Sequence, residues 1–154
     1  MKSLKVTQGK PNPTGKDRLG SATPNSQLVG EWMDIKNSGT EDYLMAGIAL
    51  QHVAYTAGYP NGIWTNVLNF TEGTLEVGKV VRIHSGSKPD FLSWEDQSGA
   101  DFHVYTNGDY VWNNDKSDRP RIVSGGSDSV IDETMYDAYP PEGEILKRIG
   151  NKLE

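Results

Sequence analysis

The chain has 154 residues, a formal net charge of −6, 17 glycines, 8 prolines and no cysteine. This length suits one domain with one core, and the missing cysteines exclude disulfides, thiolate metal sites and cysteine nucleophiles. The acidic balance argues against a dedicated nucleic-acid binder, which is expected to carry a basic face.

The first 27 residues predict a short strand followed by a loop. Residues 4–7 alternate apolar and polar side chains, and the stretch that follows is rich in Pro, Gly, Asn and Ser without periodicity. Five of the first 18 residues are basic and one is acidic, a local excess of positive charge. We interpret residues 1–27 as an arm that packs on the main domain or leads into it.

Residues 28–135 show hydrophobic periodicity of two, which is typical of strands with one buried face. Met33 and Ile35 alternate with their neighbours in this way, and so do Val81 and Ile83. Turn-forming residues, among them Pro60-Asn61-Gly62, separate such segments at short intervals, which predicts an all-β sandwich of about seven to nine short strands. The other candidate strands are residues 44–55, 64–70, 102–105, 110–112, 121–124 and 129–132.

Residues 136–154 are predicted to form a C-terminal extension. Pro140 and Pro141 precede a short run of mixed polarity, so at most a short helix of one or two turns is expected there. No apolar stretch reaches the roughly 18 residues of a membrane span, and the N-terminus lacks the apolar run of a signal peptide. We expect a soluble protein, either cytoplasmic or exported after removal of a leader.

Five local motifs are spread over most of the chain. They are NPTGKD from Asn12, GEWMDIKNSG from Gly30, LMAGIAL from Leu44, NFTEGTLEVGKVVRIHSGS from Asn69 and VWNNDKSD from Val111. In these motifs and their order the chain resembles the lamin tail domain family, in its bacterial and archaeal branch. Ile48 stands where that family usually has Trp. The resemblance implies an immunoglobulin-like β-sandwich that acts as an appended interaction module rather than as an enzyme.

The densest polar segment, YVWNNDKSDRP, and the earlier NPTGKD loop contain the candidate site residues. Their oxygen atoms are of the kind that Ca²⁺ accepts, but the EF-hand spacing and its distal Glu are missing. We therefore favour turns in which Asn and Asp bond backbone groups and the two loops contact each other. The candidate metal ligands are Asp17, Asn113, Asp115 and Asp118, and the candidate interaction or loop-lock residues are Asn12, Asp17, Trp112, Asn113 and Asn114.

Other sequence patterns predict neither catalysis nor a cofactor. His52, His84 and His103 follow no zinc-binding spacing, so surface or half-buried histidines are expected. The nucleophile elbow, the P-loop and the dinucleotide fingerprint are all missing from the sequence. Several aromatic residues late in the chain suggest either an exposed platform or core packing with scattered surface tyrosines: Tyr105, Tyr110, Trp112, Tyr136 and Tyr139.

These observations favour a non-catalytic binding module for a protein or a surface polymer, with recognition carried by loops or a strand edge. Two alternatives stay open at this point. One is a nucleic-acid accessory domain that uses the basic N-terminal arm, although the acidic net charge disfavours it. The other is a metal-assisted hydrolase at the loops rich in Asn and Asp.

Overall fold

The computed structural model describes residues 1–15, 17–125 and 129–154, and its architecture is a β-sandwich. Within these residues there are twelve strands and two helices of one turn each. The prediction of an all-β sandwich is confirmed, although the described residues form more strands than the seven to nine expected. The strands are β1 (Leu4–Lys10), β2 (Trp32–Asn37), β3 (Tyr43–Leu44), β4 (Ile48–Thr56), β5 (Tyr59–Asn69), β6 (Thr74–Leu75), β7 (Val80–His84), β8 (Phe102–Tyr105), β9 (Arg121–Ser124), β10 (Ser129–Glu133), β11 (Leu146–Ile149) and β12 (Lys152–Leu153); the helices are α1 (Asn25–Leu28) and α2 (Trp94–Gln97).

Two main sheets form the sandwich. In the described ranges, one sheet has the strand order β12-β11-β1-β2-β7-β8, the other has the order β10-β9-β4-β5, and β3 and β6 form a small ribbon. The predicted N-terminal arm contributes β1, which lies between β2 and β11. The tail, where at most a short helix was expected, instead forms β11 and β12. Leu146 and Leu153 anchor these two strands in the core.

The core lies between the two sheets. Met33, Ile35, Val81 and Ile83, the four residues expected to face inward, are at most 5% exposed. Apolar side chains of the four-stranded sheet pack against them from the other side, since they belong to the same cluster. These side chains are Ile48 and Leu50 of β4 and Ile122 of β9.

The outer face of β2 and β7 is also buried, so the expectation of one buried face is wrong for these strands. Trp32, Asp34, Arg82 and His84 occupy the alternate positions and are fully buried. The cause is the connection between β7 and β8, which pair in parallel. A parallel pair needs a crossover, and residues 85–101 provide it. We call residues 85–101 the covering segment.

A buried ion pair lies under the covering segment. Arg82 and Asp34 meet through two hydrogen bonds, with Nε 2.7 Å from Oδ1 and Nη2 2.8 Å from Oδ2. Nη1 of Arg82 donates to the carbonyl oxygens of Asp96 and Ser98 in the covering segment. The guanidinium also lies 3.6 Å from the ring centroid of Trp32. Arg82 therefore holds the covering segment to the sheet while its own charge is neutralised.

His84 lies beside this ion pair and is fully buried, and His52 is only 6% exposed, so the expectation of surface or half-buried histidines is wrong for both. Nδ1 of His84 is 2.7 Å from the carbonyl oxygen of Val29, and its Nε2 is 2.8 Å from Nδ1 of His103. Burial lowers the pKa of His84 to about 4. The ring therefore stays neutral at neutral pH.

The predicted strand at residues 110–112 does not form. The backbone N–H of Val111 donates to Oε1 of Glu31 at 2.8 Å, and that of Tyr110 donates to Oδ1 of Asp109. Side chains thus take the donors that a sheet would use. A turn expected at Pro60–Gly62 likewise lies within β5, where Pro60 is tolerated because β5 is an edge strand.

Glu31 links the segment 110–112 to the six-stranded sheet and predicts a pH dependence. Its side chain also accepts a hydrogen bond from Ser85 Oγ at 2.5 Å and is almost completely buried. Burial raises the pKa of Glu31 from 4.5 to about 8. Between these values the unfolded chain has lost a proton that the folded protein retains, so the free energy of unfolding falls as pH rises, by up to about 1.4 kcal/mol per pH unit.

We expect Glu31→Gln to remove this decrease. The variant keeps an acceptor oxygen for Ser85 and Val111, so its stability near pH 5 should be close to that of the parent, and it should be the more stable protein at pH 8. Urea unfolding at several pH values between 5 and 9 measures the effect. Glu72→Gln, at an exposed position, is the control. Parallel pH profiles for the parent protein and Glu31→Gln would contradict the prediction.

Candidate functional site

His52, near the middle of β4, is the centre of the candidate site. Ile48, Leu50 and His52 are at every second position of β4, so their side chains point to the same face, toward the inside of the sandwich. Nδ1 of His52 lies 2.8 Å from Oδ2 of Asp118, and the ring packs edge-on against Trp112 with 5.6 Å between ring centroids. These two contacts fix the orientation of the imidazole.

Asp118 is fully engaged by protein donors. Besides His52, its carboxylate accepts the backbone N–H groups of Val53 at 2.9 Å, Asn113 at 3.1 Å and Arg119 at 2.8 Å. Asp118 is 1% exposed, and its backbone forms a bridge with Tyr136. Because the carboxylate only accepts, Nδ1 of His52 carries the hydrogen of this bond. In the neutral form of the imidazole, Nε2 is therefore the acceptor atom.

Nε2 of His52 faces open space. It makes no hydrogen bond with any described residue, yet within the same ranges every buried side-chain nitrogen and oxygen has a partner. The atom is therefore not sealed inside the core and reaches solvent, although the residue as a whole is 94% buried, as its exposed fraction of 6% shows. An acceptor that is held in a fixed position and reaches solvent is available to a ligand.

The space in front of His52 is a cleft of about 430 Å³ between the edge formed by β4 and β5 and the segment that leads from β8 toward β9. Hydroxyl and amide side chains provide much of its lining, together with two tyrosines. We call this space the His52 cleft. Its lining residues are His52, Ala54, Tyr55, Thr65, Asn66, Val67, Thr106, Gly108, Asp109, Tyr110, Val111 and Asn113.

The cleft has little net charge. Among the described lining residues, none is lysine or arginine, and Asp109 is the one carboxylate. Asp109 accepts the backbone N–H of Tyr110 and lies 3.2 Å from Arg18; these contacts hold its pKa below the ordinary value. Burial, with Asp17 and Glu31 nearby, raises the pKa of Tyr110 to about 12, so its hydroxyl stays neutral and donates to the carbonyl oxygen of Asp17.

The two loops singled out in the sequence meet at one end of the sandwich. The side-chain amide of Asn114 lies 3.5 Å from Oδ1 of Asn12, and Nδ2 of Asn12 donates to the carbonyl oxygen of Pro140. Nδ2 of Asn113 donates to the carbonyl oxygen of Val53 at 2.8 Å. These contacts connect the loops to β4 and to the C-terminal tail. Lys16, in the NPTGKD motif, lies outside the described residues.

The candidate metal ligands do not come together as one site. The carboxylate of Asp118 is occupied by four N–H donors, Asp115 is exposed, and the side chain of Asp17 is also exposed. Asn113 uses its amide to hold the loop. Across residues 1–15, 17–125 and 129–154, no group of three or more His, Cys, Asp or Glu side chains is arranged to hold a metal ion.

The late aromatic residues do not form one platform. Trp112 and Tyr136 are buried in the core, and the hydroxyl of Tyr136 donates to the carbonyl oxygen of Asn113 at 2.7 Å. Tyr110 lines the His52 cleft, whereas Tyr105 lines a separate cavity beside the covering segment. Tyr139 is 78% exposed. Of these residues, Trp112 contacts the His52 ring from the core side.

Two of the basic residues of the N-terminal arm are paired with carboxylates. Lys10 is 5% exposed and is neutralised by Glu95 and Asp96 of the covering segment. Arg18 is paired with Asp109. Asp96 is itself buried, and Lys10 is the partner that a buried carboxylate requires.

Sequence reasoning missed His52, Thr65 and Asn66 as members of a site. One signal was present for His52. In the run from Ile48 to Ala54 it occupies an inward position between apolar residues, where a polar side chain needs a specific partner. Thr65 and Asn66 lie on the edge strand β5 and carry no comparable signal.

The fold and the site define an all-β sandwich with a polar cleft at the open side of its two layers. No protein-family model matches the chain, and a search of curated proteins finds no significant match. None of the helices in the described part of the chain is long and apolar enough to cross a membrane.

Proposed function

We propose that this protein is a non-catalytic binding module and that it holds part of its partner in the His52 cleft. The observation that carries the proposal is the imidazole of His52, which is fixed by Asp118 and Trp112 in a residue that lines a cleft of about 430 Å³. Binding sites commonly combine a concave surface with a few fixed polar groups. The motifs that resemble lamin tail domains, with their immunoglobulin-like sandwich, also favour a module for interaction.

Binding is favoured over catalysis because no hydroxyl group of a described lining residue is hydrogen-bonded to His52. A general base acts on a nucleophile within hydrogen-bond reach. Among the described residues, the one interaction of the His52 ring nitrogens is with Asp118, which orients the ring. No specific observation favours the nucleic-acid or hydrolase alternatives, since Lys10 and Arg18 are paired and Asp118 is occupied.

The proposal is tested by NMR titration of the ¹⁵N-labelled full chain with three probe classes: short peptides, mononucleotides and neutral oligosaccharides. We expect one class to shift the amide resonances of Thr65, Asn66 and Tyr110 in a saturable way. We also expect that probe to be recovered chemically unchanged. Shifts confined to other surfaces, conversion of the probe, or no shift with any class would contradict the proposal.

A further inference from the structure

The chemistry of the His52 cleft indicates which class of ligand fits it. This inference rests on the proposed function, because it concerns the same cleft. We infer that the ligand is a neutral carbohydrate, whose hydroxyl groups hydrogen-bond to His52 and to the polar groups of β5.

Charge is the first argument. Phosphate groups and acidic sugars are normally bound by arginine or lysine, and among the described lining residues the cleft has neither. Arg18 lies close to the cleft, but its charge is already paired with Asp109. A cationic ligand would find that carboxylate already engaged by Arg18 and by the N–H of Tyr110. A neutral ligand fits these conditions best.

The pattern of donors and acceptors is the second argument. His52 offers an acceptor at Nε2, and its cross-strand neighbour Thr65 offers a second acceptor because its hydroxyl hydrogen goes to the carbonyl oxygen of Ile63. Thr106 accepts the N–H of Gly108 and keeps its own hydroxyl hydrogen to donate. A hydroxyl group donates and accepts at once, so a polyhydroxylated ligand satisfies both kinds of group within a small volume.

The tyrosines are the third argument. Tyr55 and Tyr110 line the cleft, and one face of the Tyr55 ring is covered by Lys116, with Nζ 5.0 Å from the ring centroid. Tyrosine rings give a rigid, amphipathic contact surface at low entropic cost. Tyr110 is held in place because its hydroxyl donates to the carbonyl oxygen of Asp17 at 3.1 Å. Beyond the tyrosines, the apolar side chains among the described lining residues are those of Ala54, Val67 and Val111. Such a lining suits the C–H faces of a sugar ring better than a large apolar side chain.

The test measures binding of soluble xylotriose, cellotriose, maltotriose and chitotriose by NMR titration, with tripeptides and mononucleotides run in parallel. A second arm mixes the protein with insoluble cellulose, chitin and xylan, and so distinguishes a free oligosaccharide from a polymer surface. We expect saturable binding of at least one of these carbohydrates with shifts at Thr65, Asn66 and Tyr110.

Three variants locate the binding. Thr65→Val and Asn66→Ala each remove one polar group from an exposed edge strand, and each should weaken binding about three- to tenfold. His52→Gln should weaken it more than tenfold, and the two edge variants keep the test valid if this buried substitution impairs folding. Thr71→Val, at an exposed threonine that does not line the cleft, is the matched control and should bind like the parent.

The outcomes separate the two proposals. Peptide or nucleotide shifts at the cleft without carbohydrate shifts would overturn the carbohydrate inference and leave the binding function intact. No probe shifting the cleft resonances would overturn both. Carbohydrate binding that is unchanged in Thr65→Val and Asn66→Ala would also overturn the inference, because the sugar would then occupy another surface.

Discussion

Replacing Arg82 with methionine should lower the free energy of unfolding by about 3–5 kcal/mol, since it leaves the Asp34 carboxylate buried without its counter-charge. Both side chains are completely buried, and their contact distance is 2.7 Å. The remaining donor to Asp34 is Nε2 of Gln8 at 2.9 Å. Two carbonyl oxygens of the covering segment also lose their hydrogen bonds from Arg82. Urea unfolding monitored by tryptophan fluorescence measures the loss.

Arg18→Met is the matched control for that experiment. Arg18 pairs with Asp109, but both side chains are more than half exposed, so this pair should contribute less than about 1 kcal/mol. The double variant Asp34→Leu/Arg82→Met should be more stable than Arg82→Met alone, because it contains no unpaired buried charge. If the free energy of unfolding decreases by the same amount, within about 1 kcal/mol, in Arg82→Met and Arg18→Met, the prediction for the buried pair is contradicted.

Replacing Asp118 with alanine should cost about 3–5 kcal/mol and should also disorganise the His52 cleft. The substitution removes the acceptor of four N–H groups, three of them from the backbone. Each lost hydrogen bond of a buried donor destabilises the fold by roughly 1 kcal/mol or more, and bonds to a charged acceptor are stronger. The same urea experiment gives the cost, and the NMR resonances of His52 and Val53 report the local change.

The same loop offers a control of identical chemistry. Asp115 is exposed, and Asp115→Ala should change stability by no more than about 0.5 kcal/mol. A loss of similar size for Asp115→Ala and Asp118→Ala would mean that the loop tolerates either change. It would also remove the basis for regarding Asp118 as the residue that orients His52.

The main architecture could be predicted from alternation alone. Met33, Ile35, Val81 and Ile83 face the core because a strand directs successive side chains to opposite faces and one face has to be apolar. The same rule failed for Asp34 and Arg82, which it assigned to a solvated face. Whether a polar face meets water depends on what crosses over it. The sequence of β2 and β7 does not contain that information.

The prediction of a strand at residues 110–112 was wrong because it too depended on a distant partner. Val111 and Trp112 have strand-forming side chains, but the N–H of Val111 is taken by Glu31, which is 80 positions away in sequence. The turn expected at Pro60–Gly62 failed because proline and glycine are also tolerated on an edge strand. Local propensity cannot report such tertiary partners.

The candidate site was predictable in part. The sequence indicated that the loops around Asn12 and Asn113 are held by Asx hydrogen bonds, and the structure brings Asn12 and Asn114 together. The sequence did not indicate that Asp118 turns inward to orient His52, because the two residues are 66 positions apart. The cleft itself is formed by the packing of β5 against the segment 106–113, which no local pattern describes.

The covering segment affects how this protein should respond to ionic strength. Dissolved ions screen charges that they can approach to within about 8–10 Å through water, and the Asp34–Arg82 pair lies behind residues 85–101 with no exposed surface. Exposed pairs such as Lys152 with Asp137 remain open to screening. Concentrated salt should therefore weaken the exposed ion pairs first. The attraction between Asp34 and Arg82, beneath the covering segment, should persist.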